Sequence, residues 1–155
     1  MKHISYLSFY ESPIGIIRIN TSNHDVISIT FVEKSDNSYE NALSIKIKKE
    51  LEAYFKGELK VFSFYNYLTS GLEKQVLEII SHIPYGSVMT YKEIAKLLGD
   101  ENIVSPVINV VNNNPFPLLL PCHRVVSFDN SLIGYVGGIT KKEFLLEFEK
   151  NNSCK

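Results

Sequence analysis

The 155-residue chain is 45% hydrophobic, 21% charged and 12% aromatic. This composition excludes a disordered, collagen-like or coiled-coil polypeptide, and the length suffices to bury a core without disulfide or metal staples. The formal net charge is −1 and neither half is basic, so strong non-specific phosphate binding is not indicated.

Three segments, Tyr6–Tyr10, Gly15–Asn20 and Val26–Val32, are rich in β-branched and aromatic residues. Ser12-Pro13 and Thr21-Ser22-Asn23 separate them as turns, which predicts an antiparallel meander. Residues 34–41 are polar and loop-like. From about Glu40 to Lys56, Leu43, Ile47, Leu51, Tyr54 and Phe55 fit the apolar face of a helix stopped by Gly57. Phe62, Phe64, Tyr65 and Tyr67 make an aromatic connector. A domain boundary near residue 68 divides an N-terminal α/β domain (1–67) from a mainly helical domain (68–155).

In the second domain Leu72, Val76, Ile79, Ile80 and Ile83 lie at helical spacing up to Pro84-Tyr85-Gly86. Thr90 and Glu93 form a capping box ahead of Ile94, Leu97 and Leu98, and Gly99 ends that helix. Ser105 is the expected cap of a second short helix, with Pro106 at its first position. Val107, Val110 and Val111 continue it to Asn112–Asn114. Two short helices around a glycine turn resemble a helix-turn-helix. Thr140 with Glu143 reads as the box that opens a last helix, running to about Lys150. The longest aliphatic run, Leu118–Leu120, is far short of the ~20 residues of a membrane span. The polar opening stretch predicts no signal-peptide core. With only Cys122 and Cys154, reduced thiols and a cytoplasmic location are expected.

The densest chemistry is Pro121-Cys122-His123-Arg124. A nearby imidazole and guanidinium favour the thiolate, so the pair outlines an activated nucleophile. The plain alternative is a buried cysteine whose neighbours face elsewhere. His3, His24 and His82 have no ligand-like spacing with either cysteine, so no metal site is expected.

The run Asn114-Pro115 to Pro121-Cys122-His123-Arg124-Val125-Val126 resembles the active-site signature of the O6-alkylguanine-DNA alkyltransferases. Gly86-Ser87-Val88-Met89-Thr90-Tyr91 resembles their tyrosine segment, and Gly134-Tyr135-Val136-Gly137-Gly138 their active-site loop. Lys142, Leu145, Leu146 and Glu149 match their last helix, and Glu11-Ser12-Pro13-Ile14-Gly15 fits their smaller domain. The resemblance implies an α+β fold: a ribonuclease-H-like antiparallel sheet with a helix, then a helical domain carrying a helix-turn-helix and the cysteine. It implies irreversible transfer of an alkyl group from O6-alkylguanine in double-stranded DNA to Cys122, with O4-alkylthymine a second candidate substrate. His123 would take the thiol proton, Glu149 would orient the imidazole, and Tyr91 would donate to the leaving purine. No cofactor, no membrane and a monomeric protein go with it.

Each assignment has a plainer counterpart. Tyr91 could only pack its ring, and Glu149 could be a solvated helix residue. Asn114, a candidate substrate contact, also reads as the holder of the turn before a cysteine strand, and Arg124, a candidate DNA contact, as a tie between loops. Lys142 lies near the thiolate or faces solvent. The loop residues Tyr135, Val136 and Gly137 are candidate substrate contacts. Two positions depart from the family pattern: Ser105 stands where an arginine is implied and Val136 where a serine is implied. Gly99 through Leu120 contains no Arg or Lys. The competing functions are a base-flipping DNA-binding module without repair activity, a cysteine hydrolase, and a helix-turn-helix regulator.

Overall fold

A computed structural model describes residues 5–127, 129 and 134–153. His3 and Cys154 lie outside the described residues. The meander forms as β1 (Tyr6–Ser12), β2 (Gly15–Thr21) and β3 (Asp25–Val32). Alternate residues of a strand share one face, and Ile17, Ile19 and Thr21 of β2 are all buried. Helix α1 (Ala42–Phe55) packs against β1 and β2, and its buried residues Ser44, Ile47, Leu51, Tyr54 and Phe55 form one stripe. It begins at Ala42 rather than Glu40 because Asn41 is the cap. Asn41 Oδ1 accepts from the Ser44 amide at 2.8 Å, and the Ser44 hydroxyl accepts from the Asn41 amide at 3.0 Å. The same Asn41 side chain also meets Thr21 and the Ser22 carbonyl, fixing the helix start on the sheet. The expected aromatic connector contains a short strand, β4 (Asn66–Tyr67), parallel to β3. Two residues are too few for an alternating pattern to show in sequence.

The chain divides into two compact units, Met1–Leu68 and Thr69–Lys155. The second opens with α2 (Gly71–Ile80), which buries Val76, Leu77 and Ile80. Strand β5 (Met89–Thr90) leads directly into α3 (Tyr91–Leu97), where the Thr90 hydroxyl accepts from the Glu93 amide at 3.1 Å. Gly99 follows with φ +88°, a left-handed conformation that glycine adopts without steric cost. Its amide donates to the Lys96 carbonyl and that of Asp100 to the Ala95 carbonyl, the paired bonds that close a helix C-terminus.

Helix α4 (Val104–Asn112) packs on α3 and α2 and supplies the second arm of the helix-turn-helix. Ser105 is not its cap. Asp100 instead accepts from the Asn102 amide at 2.9 Å, capping a 3₁₀ turn (Glu101–Ile103) that runs straight into the helix. Ser105 and Pro106 therefore sit inside its first turn. Strand β6 (Val125–Val126) pairs in parallel with β5. Helix α5 (Ile139–Asn152) starts from Gly138, whose amide donates to the Tyr135 carbonyl, so Thr140 is already helical and caps nothing. The helix runs past Lys150. Among the described residues no helix is long and apolar enough to cross a membrane.

Candidate active site

The approach to the cysteine is held by Asn114, which is buried. Its Nδ2 donates to the Leu120 carbonyl and its Oδ1 accepts from the Phe116 amide, both at 2.9 Å. Inside this clamp Leu118 has φ +75°, a strained value for a residue with a branched side chain. Cys122 follows in a 3₁₀ turn (Cys122–Arg124) rather than a strand, because the Cys122 amide folds back onto the Leu120 carbonyl at 2.8 Å. The β5–β6 pairing then joins the segment after this turn to the start of α3, where Tyr91 lies.

Cys122, His123 and Glu149 are each at most 1% exposed. His123 Nε2 lies 2.7 Å from Glu149 Oε2. Arg124 grips the same carboxylate through Nε at 2.7 Å and Nη2 at 2.9 Å, while its Nη1 donates to the Ile83 carbonyl. The guanidinium also stands 5.6 Å from the ring centroid of Tyr85, a cation–π distance. The Gly86 amide approaches Glu149 Oε1 at 3.5 Å. Burial opposes ionisation of Glu149, but the hydrogen bonds and charges of His123 and Arg124 outweigh it and hold the carboxyl well below its usual range. Burial pushes His123 down against the upward pull of Glu149. The resting relay is therefore a carboxylate with a neutral imidazole, Nε2–H donating to it. Among the described residues no group hydrogen-bonds the buried Nδ1, which keeps its lone pair.

The thiol differs from the expected thiolate. Burial raises Cys122 to about 11, against the smaller pulls of Asn114 and Lys142. Arg124 does not activate it because its charge is spent on Glu149. At neutral pH the group is a thiol that must lose its proton during reaction. Lys142 is completely buried and does not face solvent. Its Nζ donates to the Val125 carbonyl at 2.6 Å and the Gly134 carbonyl at 3.0 Å, tying β6 to the loop before α5. Burial lowers it to about 8, with Cys122 opposing. Tyr91 is buried and pushed up to about 12 by burial and by Cys122.

His123, Arg124 and Glu149 thus meet in one network, while Asn114, Lys142 and Tyr91 are the groups that act on the neighbouring Cys122 thiol. Tyr135 is buried, and burial first and Cys122 second push its hydroxyl well up. Gly137 is partly exposed, while Val136, 43% exposed, and Ser105 present themselves to solvent. Two contributors escape the sequence reading: Tyr85 under Arg124, and Asn112, whose Oδ1 accepts from the Tyr91 hydroxyl at 3.4 Å. In sequence Tyr85 and Asn112 look only like helix stops. Among the described residues no group of three or more His, Cys, Asp or Glu could hold a metal ion.

The profile of the family described as "6-O-methylguanine DNA methyltransferase, DNA binding domain" matches residues 71–151, the stretch that contains every group of this network. The chain belongs to that family. A methylated-DNA–protein-cysteine methyltransferase of Methanosarcina acetivorans is 37% identical over 96% of this chain and 99% of its own. One of Haemophilus influenzae is 30% identical over 94% of this chain and 86% of its own. Among solved structures, Mycobacterium tuberculosis O6-methylguanine methyltransferase superposes with a TM-score of 0.85 at 28% identity, covering 96% of this chain and 94% of its own. The M. tuberculosis OGT complex with DNA gives a TM-score of 0.83 at 29% identity, covering 94% and 93%. Family membership thus extends to both units, beyond the segment matched by the profile.

Proposed function

We propose that this methyltransferase repairs O6-alkylguanine in DNA by moving the alkyl group, once and irreversibly, onto its own Cys122. The observation that carries the reading is the buried thiol beside a His123–Glu149–Arg124 network, in a chain related to methylated-DNA–protein-cysteine methyltransferases over nearly its whole length. Residues 68–155 make the domain that carries the chemistry and the helix-turn-helix, and residues 1–67 a separate α/β domain. A guanine extruded from the helix, at a cost of a few kcal/mol, presents its O6-alkyl carbon to Sγ. As the S–C bond forms, the C–O6 bond breaks. The thiol proton passes, through a water, to Nδ1 of neutral His123, and Glu149 stabilises the imidazolium. Tyr91 donates its phenolic proton to the departing purine, which leaves as neutral guanine. The imidazolium proton then restores the phenol, so the proton lost by sulfur ends on guanine. A thioether offers no leaving group, so each molecule acts once and needs no cofactor. Free-thiol chemistry suits the cytoplasm, and the protein acts as a monomer.

Incubation with O6-benzylguanine or with duplex DNA carrying O6-methylguanine, followed by intact-mass measurement and peptide mapping, tests the reading. A single stable alkyl increment on Cys122 is expected, lost in Cys122→Ala and kept in Cys154→Ser. No adduct would indicate a binding module, turnover without adduct a hydrolase, and an adduct on Cys154 a misplaced nucleophile.

A further inference from the structure

The last residue of α4, Asn112, reaches into the site. The Tyr91 hydroxyl donates to its Oδ1, and the amide lies against Gly134. A Cβ at position 134 would come within 3.1 Å of Asn112 Nδ2 and 3.3 Å of its Cγ, so a side chain there would displace the amide. The Gly134 carbonyl is held by Lys142, whose Nζ stands 5.9 Å from the Tyr91 ring centroid. One amide thus touches both the phenol and the loop leading to Tyr135, and it does so from the helix-turn-helix arm.

We propose that Asn112 is the positioning residue of the proton donor: it anchors the Tyr91 hydroxyl in the free protein and releases it to the purine when the alkylated base enters. The inference rests on the alkyl-transfer reading above. Its chemistry follows from the acceptor. A buried hydroxyl needs a partner, and an amide oxygen is a neutral one. At 3.4 Å the bond is at the long end of the hydrogen-bonding range, so a purine nitrogen can replace it. A carboxylate in the same place would retain the proton, and an apolar group would leave the hydroxyl unaimed. Because Asn112 belongs to α4, seating that helix on DNA and readying Tyr91 become one event.

Single-turnover transfer from O6-benzylguanine, followed by intact mass, tests this with no DNA present. Asn112→Leu removes the acceptor while keeping the number and branching of the side-chain heavy atoms. It is expected to slow transfer about tenfold when Tyr91 is intact and less than about twofold in the Tyr91→Phe background, a coupling that a double-mutant cycle isolates. Asn112→Asp is expected to react near the parent rate at acidic pH and to slow as the new carboxylate ionises, a pH dependence absent from the parent. Equal slowing by Asn112→Leu in both backgrounds, or none in either, overturns the proposal. Melting curves establish folding, and the isosteric Asn112→Asp carries the test alone if the leucine variant does not fold. If the unaltered protein takes no alkyl group from either substrate, the transfer reading falls and this inference with it. Transfer with additive variants sinks the inference alone.

Discussion

Glu149 serves two partners with different jobs. Arg124 neutralises it in a two-pronged grip, and His123 uses it to fix the tautomer that leaves Nδ1 basic. His123→Ala or Glu149→Gln is expected to slow single-turnover transfer by ~10²–10⁴, the usual worth of a positioned general base. Glu149→Gln also strips Arg124 of its counter-charge, so its melting temperature falls too, and rates are compared below that transition. Lys142 and Cys122 give opposite pH signatures. Folding lowers Lys142 from 10.5 to about 8, so between those pH values the unfolded chain holds the extra proton and stability rises with pH. Folding raises Cys122 from 9.0 to about 11, so across that window the native state holds the extra proton and stability falls. The two contributions oppose each other where they overlap. Lys142→Met leaves the thiol unopposed, and denaturant titrations at stepped pH are expected to show stability dropping between about pH 9 and 11. The cysteine, imidazole and carboxylate were legible because the motif is contiguous and Glu149 sits in register with it. The protonated thiol was not, because burial rather than the nearby cations sets it. Lys142 did leave a signal: with Leu145 and Glu149 it falls at helical spacing, and those three are the buried face of α5.

Elements with a long period were readable and two-residue elements were not. The meander, α1 and α2 follow from alternation and helical stripes. β4, β5 and β6 are each two residues long and exist only through their partners. Helix starts failed for a local reason: at α4 and α5 the chain arrives already turned, through the Asp100-capped 3₁₀ turn and through Gly138, so Ser105 and Thr140 have no free amides to cap. The turn before β5 is the tightest constraint. Gly86 has φ +81°, and a Cβ there would lie 2.8 Å from Ser153 Cβ and 3.8 Å from the Glu149 carbonyl oxygen. Gly86→Ala is therefore expected to cost about 1–3 kcal/mol in thermal or denaturant unfolding. Ser153→Gly should recover only part of the loss, since the backbone strain remains.

For the molecule as a whole, charge is the feature that separates this chain from what its family pattern implies. The overall charge is −1, and the segment from Gly99 to Leu120, which includes α4, holds no cation. Each phosphate contact contributes about 0.9 to the slope of log affinity against log salt, so duplex binding is expected to respond only mildly to salt. Nothing long and cationic on α4 is available to fill a vacated base stack, so extrusion is expected to be the slow step for duplex DNA. Ser105→Arg, on the exposed first turn of that helix, should raise the transfer rate from alkylated duplex while leaving that from O6-benzylguanine nearly unchanged. Parallel single-turnover assays decide it, and an unmoved duplex rate would show that extrusion does not depend on this position.

The parallel pairing of Met89 with Val125 and Thr90 with Val126 also bears on how the site assembles. It closes a loop that spans all of α3 and α4. Those helices form from local contacts, whereas the pairing must meet a loop-closure entropy before it gains any bond. The nucleophile is three residues from β6, so its burial belongs to this late step. A refolding chain is therefore expected to form its helices before its sulfur is shielded, and pulsed thiol labelling during refolding, with Cys154→Ser to isolate Cys122, checks the order.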